Sequence, residues 1–360
     1  MKVLCVCPIG IGNYLLSYPA FYALKKLRPG WKLHLLGLRT NISAWARSDP
    51  IWEKVYIFDP TCMKGDIAGA FRVVASLRRE HFDTCLNFFP SNKWQYNVLP
   101  LLAGIHRRIA FDYHQRKVQS LSLLNTQKCE VDSGAHDYRQ NLSLAAAVTG
   151  EQVDFEHPVF PKLCDAADEA WAAGYLSANL CDKNRVIALH PGSSAEHGMD
   201  MKRWEPQKFA ALADRLSKKL DAAVLVLGGP DEKHLKHNVC SAMSASRHIV
   251  GESTLRQTAA VLKTCLLAVC NDSGLMHIAA VQNVPTVGIF GPTDERRNGP
   301  IGAQTLVVRK EYPGFPVWTA QRVGDRSVPS GIDPQASLHA LSVDDAWQQI
   351  ASWLDAQRIH

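Results

Sequence analysis

A chain of 360 residues is too long for one simple hydrophobic core, so two domains are its natural organisation. Hydrophobic content of 46% and charged content of 21% are those of a soluble globular protein, and there is no run of about 18 apolar residues to span a bilayer. The net charge of +6 suits an anionic ligand or a negatively charged membrane face and is too small to argue for nucleic acid.

The start, MKVLCVCPIGIGN, has an apolar core broken by Pro8, Gly10 and Gly12, so it reads as strand, turn and helix rather than as a signal peptide. Residues 3–7 form the predicted first strand, 8–13 a glycine-rich turn and 14–27 a helix with Leu16, Ala20, Ala23, Leu24 and Leu27. Strands are expected at 31–38, 54–58, 84–89 and 108–111, with helices at 67–79 and 94–103. This alternation predicts a parallel sheet covered on both faces. From 112 to 126 the pattern weakens to a polar loop holding Arg116 and Lys117. A helix follows at 138–149, then an unpatterned stretch at 153–161 with Pro158 and Pro161, the approach to a linker.

A helix at 165–178 leads into the second half, where the alternation restarts. Strands are expected at 186–190, 223–227, 248–251, 265–270, 285–290 and 305–308, with helices at 207–220, 231–243, 255–264 and 275–281. Residues 309–341 are rich in Pro and Gly and read as loop; 343–356 is an amphipathic helix. The chain thus divides into an α/β domain at 1–162, a second at 163–341 and a C-terminal piece at 342–360, placed back on the first domain. The 10 cysteines include no CxxC pair and no cysteine–histidine cluster with zinc-ligand spacing, so no metal is expected. Cys5, Cys7, Cys265 and Cys270 behave as small apolar residues of predicted strands, which fits a reducing cytoplasm.

The most informative stretch is 271–292, NDSGLMHIAAVQNVPTVGIFGP, which follows the apolar run 265–270. A buried parallel strand is followed abruptly by Asn271, Asp272 and Ser273. Gly274 then permits a tight turn into a helix with Leu275, Ile278 and Ala279 on one face. Such a junction presents unpaired amides and a positive dipole end, which suit a phosphate. Either Asp272 or Ser273 can cap the helix, and His277 lies one turn along, on the cap's face. Taken alone this is an ordinary capped helix with a solvated histidine. Two further turns converge on the same predicted sheet edge: Gly192-Ser193-Ser194 and Gly228-Gly229-Pro230-Asp231. Lys202-Arg203-Trp204 follows shortly after the first of them. Hydroxyls, an ammonium and a helix end together are what a nucleoside diphosphate needs, and each charge-assisted bond contributes on the order of 1.5–3 kcal/mol. Gly10-Ile11-Gly12 raises the alternative of an NADP-linked oxidoreductase. The dinucleotide fingerprint fails at its third glycine, where Leu15 stands, and Gly37-Leu38-Arg39 ends the second strand without an acid.

Taken together, Tyr18-Pro19-Ala20 in the first helix, Pro191-Gly192-Ser193, Lys202-Arg203-Trp204 and the 271–294 block make the chain resemble the lipopolysaccharide heptosyltransferases, glycosyltransferase family nine. The resemblance covers most of the chain and implies an α/β GT-B architecture, two Rossmann-like domains with parallel sheets facing a central cleft. It implies an inverting, metal-independent transfer of heptose or a related sugar to a lipopolysaccharide core or other surface glycan. The donor, typically ADP-heptose, would bind the second domain and the anionic glycolipid acceptor the first. No other cofactor or nucleic acid is expected. The enzyme would be cytoplasmic, in peripheral contact with the inner face of the membrane.

By position, the resemblance puts Ser193, Ser194 and Lys202 at the donor diphosphate and Asp231 or Glu232 at the nucleoside ribose. Asp272, Ser273, Gly274 and His277 match the donor signature, with Asp272 placed to hold sugar hydroxyls. Gly12, Arg116 and Lys117 are acceptor-side candidates, with Arg78, Arg79, Arg107 and Arg108 further basic residues of that half. Catalysis falls to Lys202, as leaving-group stabiliser, and to position 13, where relatives carry an aspartate as general base. Here that position is Asn13. An amide can orient a hydroxyl and cannot take its proton, a loss worth about 10²–10⁴-fold. The alternatives are that Asp112, His114 or His34 substitutes, that the acceptor is itself more acidic, or that the chain is an impaired binder of sugar nucleotides.

Overall fold

The computed structural model describes residues 1–359 apart from 8–9, 59–66, 114–116, 181–184, 195, 246, 251 and 320–327. It divides into two compact units, Met1–Pro161 and Lys162–Thr319, the second including the C-terminal segment.

In the first unit the strands are β1 (Lys2–Cys7), β2 (Lys32–Gly37), β3 (Lys54–Ile57), β4 (Thr84–Asn87), β5 (Arg107–Asp112) and β6 (Gln127–Glu130). The helices are α1 (Ile11–Leu27), α2 (Ser43–Ala46), α3 (Ile67–Arg79), α4 (Trp94–Leu102), α5 (Lys117–Ser120) and α6 (Asp137–Thr149). All strand pairs are parallel, in the order β3-β2-β1-β4-β5-β6. This is the doubly wound order, whose direction reverses between β1 and β4. The strands β1 and β2 are almost wholly buried, as Leu- and Val-rich runs covered on both faces must be.

The second unit repeats the plan. Its strands are β7 (Val186–His190), β8 (Ala223–Val226), β9 (Arg247–Ile249), β10 (Leu267–Asn271), β11 (Thr286–Ile289) and β12 (Thr305–Val308). Its helices are α7 (Ala166–Asn179), α8 (Pro206–Leu220), α9 (Lys233–Ala242), α10 (Leu255–Lys263), α11 (Gly274–Val281), α12 (Glu295–Asn298), α13 (Ala336–Ala340) and α14 (Val343–Gln357). The order β12-β11-β10-β7-β8-β9 puts the reversal between β7 and β10. Its core joins Ile187, Val224, Val269 and Val287 of the sheet to Phe209, Leu212 and Leu216 of α8.

Three expectations are corrected. The C-terminal helix α14 packs in the second unit, not on the first: Ala346, Ile350 and Leu354 lie in the same core as α8 and β12. Helix α1 starts at Ile11, with extended Gly10 as its N-cap, so Gly12 and Asn13 belong to the first helical turn and not to a loop. The region read as a polar loop contains α5, a 3₁₀ turn at Ser122–Leu124 and, just beyond it, the edge strand β6.

Candidate active site

Ligands of doubly wound sheets sit outside the carboxyl ends of the strands where the order reverses. In the second unit that point lies between His190, the last residue of β7, and Asn271, the last of β10. Asn271 binds the two chains leaving the sheet to one another: its Nδ2 donates to Pro191 O at 2.6 Å and its Oδ1 accepts from Trp204 N at 3.1 Å. Trp204 is fully buried and donates from its indole to Leu341 O, anchoring the segment that carries Lys202 and Arg203.

The structure brings Lys202 and Asp272 together. The ammonium lies 2.7 Å from Asp272 Oδ2, with the carboxylate buried. Asp272 also accepts from Thr293 Oγ1 at 2.8 Å and from Asn298 Nδ2 at 3.1 Å. Burial works to raise the Asp272 carboxyl, yet the Lys202 charge and the bonds from Lys202 and Thr293 hold it below the ordinary carboxylate range. Asp272 does not cap α11, and neither does Ser273, the N-cap residue, whose side chain makes no capping bond. The first-turn amides from Gly274 on thus face the loop without a side-chain acceptor, the condition for an anion there.

Ser273 is instead bonded sideways, its Oγ 2.9 Å from His190 Nδ1. The other ring nitrogen, Nε2, lies 3.1 Å from Glu232 Oε2. Glu232 is buried, accepts from Gly229 N at 2.9 Å, and has Arg203 Nη2 3.7 Å from its Oε1. Burial raises this carboxyl too, but the bond and charge of His190, the Gly229 amide and Arg203 outweigh it, and the group is held low. The two glycine turns make room for it: a Cβ on Gly192 would fall inside the carboxylate, and one on Gly228 (φ +154°) would lie 2.8 Å from Oε2. Asp231, its neighbour, is exposed, so of the two acids the structure draws only Glu232 into the cluster.

Ser193 is buried, with its hydroxyl engaged in the loop. It donates to Met199 O at 2.9 Å and accepts from Arg203 Nε at 3.3 Å. Ser194 is exposed. His277 is buried in α11, and its Nδ1 has no hydrogen-bond partner among the described residues, unlike the solvated histidine of the simplest reading. Burial pushes its imidazole down to about 4, the Asp272 charge opposing and the Lys202 charge adding.

In the first unit, half-buried Asn13 lies at the carboxyl end of β1, beside that sheet's own reversal point. It is helical, with no positive φ. Gly12 precedes it in α1, Lys117 opens α5, and Arg116 and His114 lie outside the described residues. His34 is no substitute base. It is buried within β2 against Phe82 and Tyr56, neither ring nitrogen has a hydrogen-bond partner among the described residues, and burial lowers its pKa. Asp112 ends β5, two strands from β1, and is buried with Ser122 Oγ 3.5 Å away. Sequence reasoning missed His190, Arg203, Thr293 and Asn298 as partners. Arg203 and Thr293 stood within motifs already singled out, and His190 carried a signal of its own, a polar residue closing an otherwise apolar strand.

Two doubly wound units, one with an uncapped helix end at its reversal point, follow the GT-B plan of glycosyltransferases. Solved structures bear out the fold. An Escherichia coli ADP-heptose lps heptosyltransferase II superimposes with a TM-score of 0.74 over 99% of this chain and 100% of that one, at 19% identity. A family 9 glycosyltransferase from Veillonella parvula gives 0.77 over 98% and 97%, at 18% identity. E. coli heptosyltransferase WaaC with ADP gives 0.72 over 98% and 100%, at 17% identity.

Residues 70–322 match the model of glycosyltransferase family 9 (heptosyltransferase), and the chain belongs to that family. The lipooligosaccharide heptosyltransferase 2 of Haemophilus ducreyi is 25% identical over 329 residues, 86% of this chain and 88% of that protein. That of Campylobacter jejuni serotype O:2 is 31% identical over 305 residues, 83% and 84%. The protein is a glycosyltransferase, and the oxidoreductase reading falls away.

Proposed function

We propose that the protein transfers heptose, or a closely related sugar, from an ADP-sugar to a lipopolysaccharide core or similar anionic surface glycan, with inversion and without a bound metal. The observation that carries this reading is the buried Lys202–Asp272 pair beside the uncapped start of α11. The donor diphosphate takes the α11 amides as its hydrogen-bond donors. Lys202 retains donors beyond the one spent on Asp272 and offsets the charge that develops on the departing nucleotide. Asp272 Oδ1, which among the described contacts accepts only from Asn298, has a lone pair for a sugar hydroxyl. Glu232 Oε1, the oxygen not bonded to His190, takes a ribose hydroxyl. Asn13 orients the acceptor hydroxyl without removing its proton.

The names of the relatives support this reading, since they are heptosyltransferases of lipopolysaccharide and lipooligosaccharide, as does the ADP in the WaaC structure. The enzyme works at the cytoplasmic face of the membrane through peripheral contact. No helix among the described residues is long and apolar enough to cross a bilayer. Phe71, Trp94, Leu102 and Val118 are exposed on α3, α4 and α5, of which α4 contacts both of the others, and α3 also carries arginines. Mass spectrometry of the protein with a panel of nucleotide sugars, followed by transfer assays with the one retained, tests the reading. Selective retention and transfer of an ADP-heptose is expected, and retention of none of the panel would refute it.

A further inference from the structure

None of the roles assigned above belongs to His190. Its imidazole is only 5% exposed and is bonded at both nitrogens, to Glu232 through Nε2 and to Ser273 through Nδ1. It therefore joins the residue assigned to the ribose with the N-cap residue of α11, the helix whose amides are assigned to the phosphates. Glu232, held as a carboxylate, can only accept, so Nε2 carries a hydrogen. Nδ1 then has two states. In the neutral ring it is a lone pair that takes the hydroxyl hydrogen of Ser273, leaving Ser273 only lone pairs to present to a ligand. In the imidazolium, Nδ1–H donates to Ser273 Oγ and the hydroxyl hydrogen is released to point elsewhere. A diphosphate offers acceptors alone, so the second state bonds it and the first repels it.

We infer that His190 is a positioning residue that takes up a proton as a nucleoside diphosphate ester binds, converting Ser273 from an acceptor into a donor aimed at the phosphates. The inference rests on the donor-site reading above. Several charged or titratable groups bear on the ring. Glu232, from the 3₁₀ turn Pro230–Glu232, favours the imidazolium. Arg203, 3.7 Å beyond it, and Lys236 of α9, bonded to Gly228 O at 3.0 Å, oppose the imidazolium. Cys270 of β10, in register with His190, stays a neutral thiol because burial raises it. Lys202 and Asp272 pair with one another next to Ser273 and largely cancel. The arriving diphosphate adds its field to that of Glu232 and draws the proton in. A ligand that binds only together with the proton loses at most about tenfold in affinity per pH unit as the pH rises.

Calorimetric titration of the full chain with ADP-heptose tests this, because a pyrophosphate diester lacks the second ionisation near pH 6 of a phosphate monoester. In buffers of differing ionisation enthalpy, uptake should rise with pH toward one proton per ligand, with Kd weakening toward tenfold per pH unit. His190→Gln, which still donates to Glu232, should bind more weakly, with uptake near zero and a flat Kd profile. Ser273→Ala changes a half-buried residue and keeps the imidazole, so it covers the case in which the His190 variant does not fold, and should lose more than half of the uptake. Binding to the parent without proton uptake overturns the inference, and so does uptake retained in His190→Gln or mostly retained in Ser273→Ala. No binding of ADP-heptose to the parent at any pH is a different outcome, which overturns the donor-site reading and this inference with it.

Discussion

Replacing Asp272 with alanine leaves three donors facing an empty space: the Lys202 ammonium at 2.7 Å, the Thr293 hydroxyl at 2.8 Å and the Asn298 amide at 3.1 Å. Lys202 is the costly one, because its side chain is only 15% exposed and water cannot fully replace the carboxylate. Removing one partner of a buried ion pair costs about 3–5 kcal/mol, most of it the penalty of the stranded charge. At roughly 2–4 °C per kcal/mol for a unit of this size, the second unit's melting transition should fall by roughly 6–20 °C. The double variant Lys202→Met/Asp272→Asn strands no charge and should recover much of that loss, a coupling that exposed pairs do not show. Calorimetric melting and ADP-heptose titration are the assays. An Asp272→Ala protein that melts within about 1 °C of the parent would refute the buried pair, and one that binds the donor as tightly would refute the site.

His277, depressed from 6.5 to about 4, is neutral in the folded protein where the unfolded chain already binds a proton. Stability should therefore decline as pH falls from about 6.5 to about 4, by roughly 3 kcal/mol in all, and then level off. Denaturant melts of His277→Gln across that window should show a flatter profile; an unchanged slope would clear His277 of the effect. Asn13→Asp puts a carboxylate into the first turn of α1, which has no acidic residue, and should stabilise the first unit by about 0.3–1 kcal/mol. It should also raise turnover by about tenfold or more if position 13 addresses the acceptor hydroxyl; no gain on any acceptor removes it from that role. In vesicle flotation the protein should rise with anionic but not neutral liposomes, and Phe71→Ser/Trp94→Ser should abolish this; equal flotation of that variant would place the membrane contact elsewhere.

How much of this was legible in the sequence follows from where the signals are local. Strands β7 and β12 and helix α3 stand where periodicity placed them, because each is a compact apolar pattern between polar breaks. Strand β6 escaped because Gln127, Lys128 and Glu130 make it an edge strand with polar residues on both faces. Helix α13 is five residues within a Pro- and Gly-rich stretch, where composition favours loop. Gly12 and Asn13 read as a turn because both are poor helix formers, yet the start of α1 tolerates them. In the site, the turns were readable from their small residues, but the partners were not. His190 and Glu232 are 42 residues apart, and Asn298 reaches Asp272 from 26 residues away. The lateral order β11-β10-β7-β8 brings such separations together, and pairings of that kind leave no trace in spacing.

The account stands on a diphosphate seated at the start of α11. Hydrogen–deuterium exchange of the full chain with and without ADP-heptose tests that seat directly. Added protection should appear in the peptides spanning Asp272–His277 and Gly192–Arg203. Protection confined to residues of the first unit, with α11 exchanging as before, would contradict it.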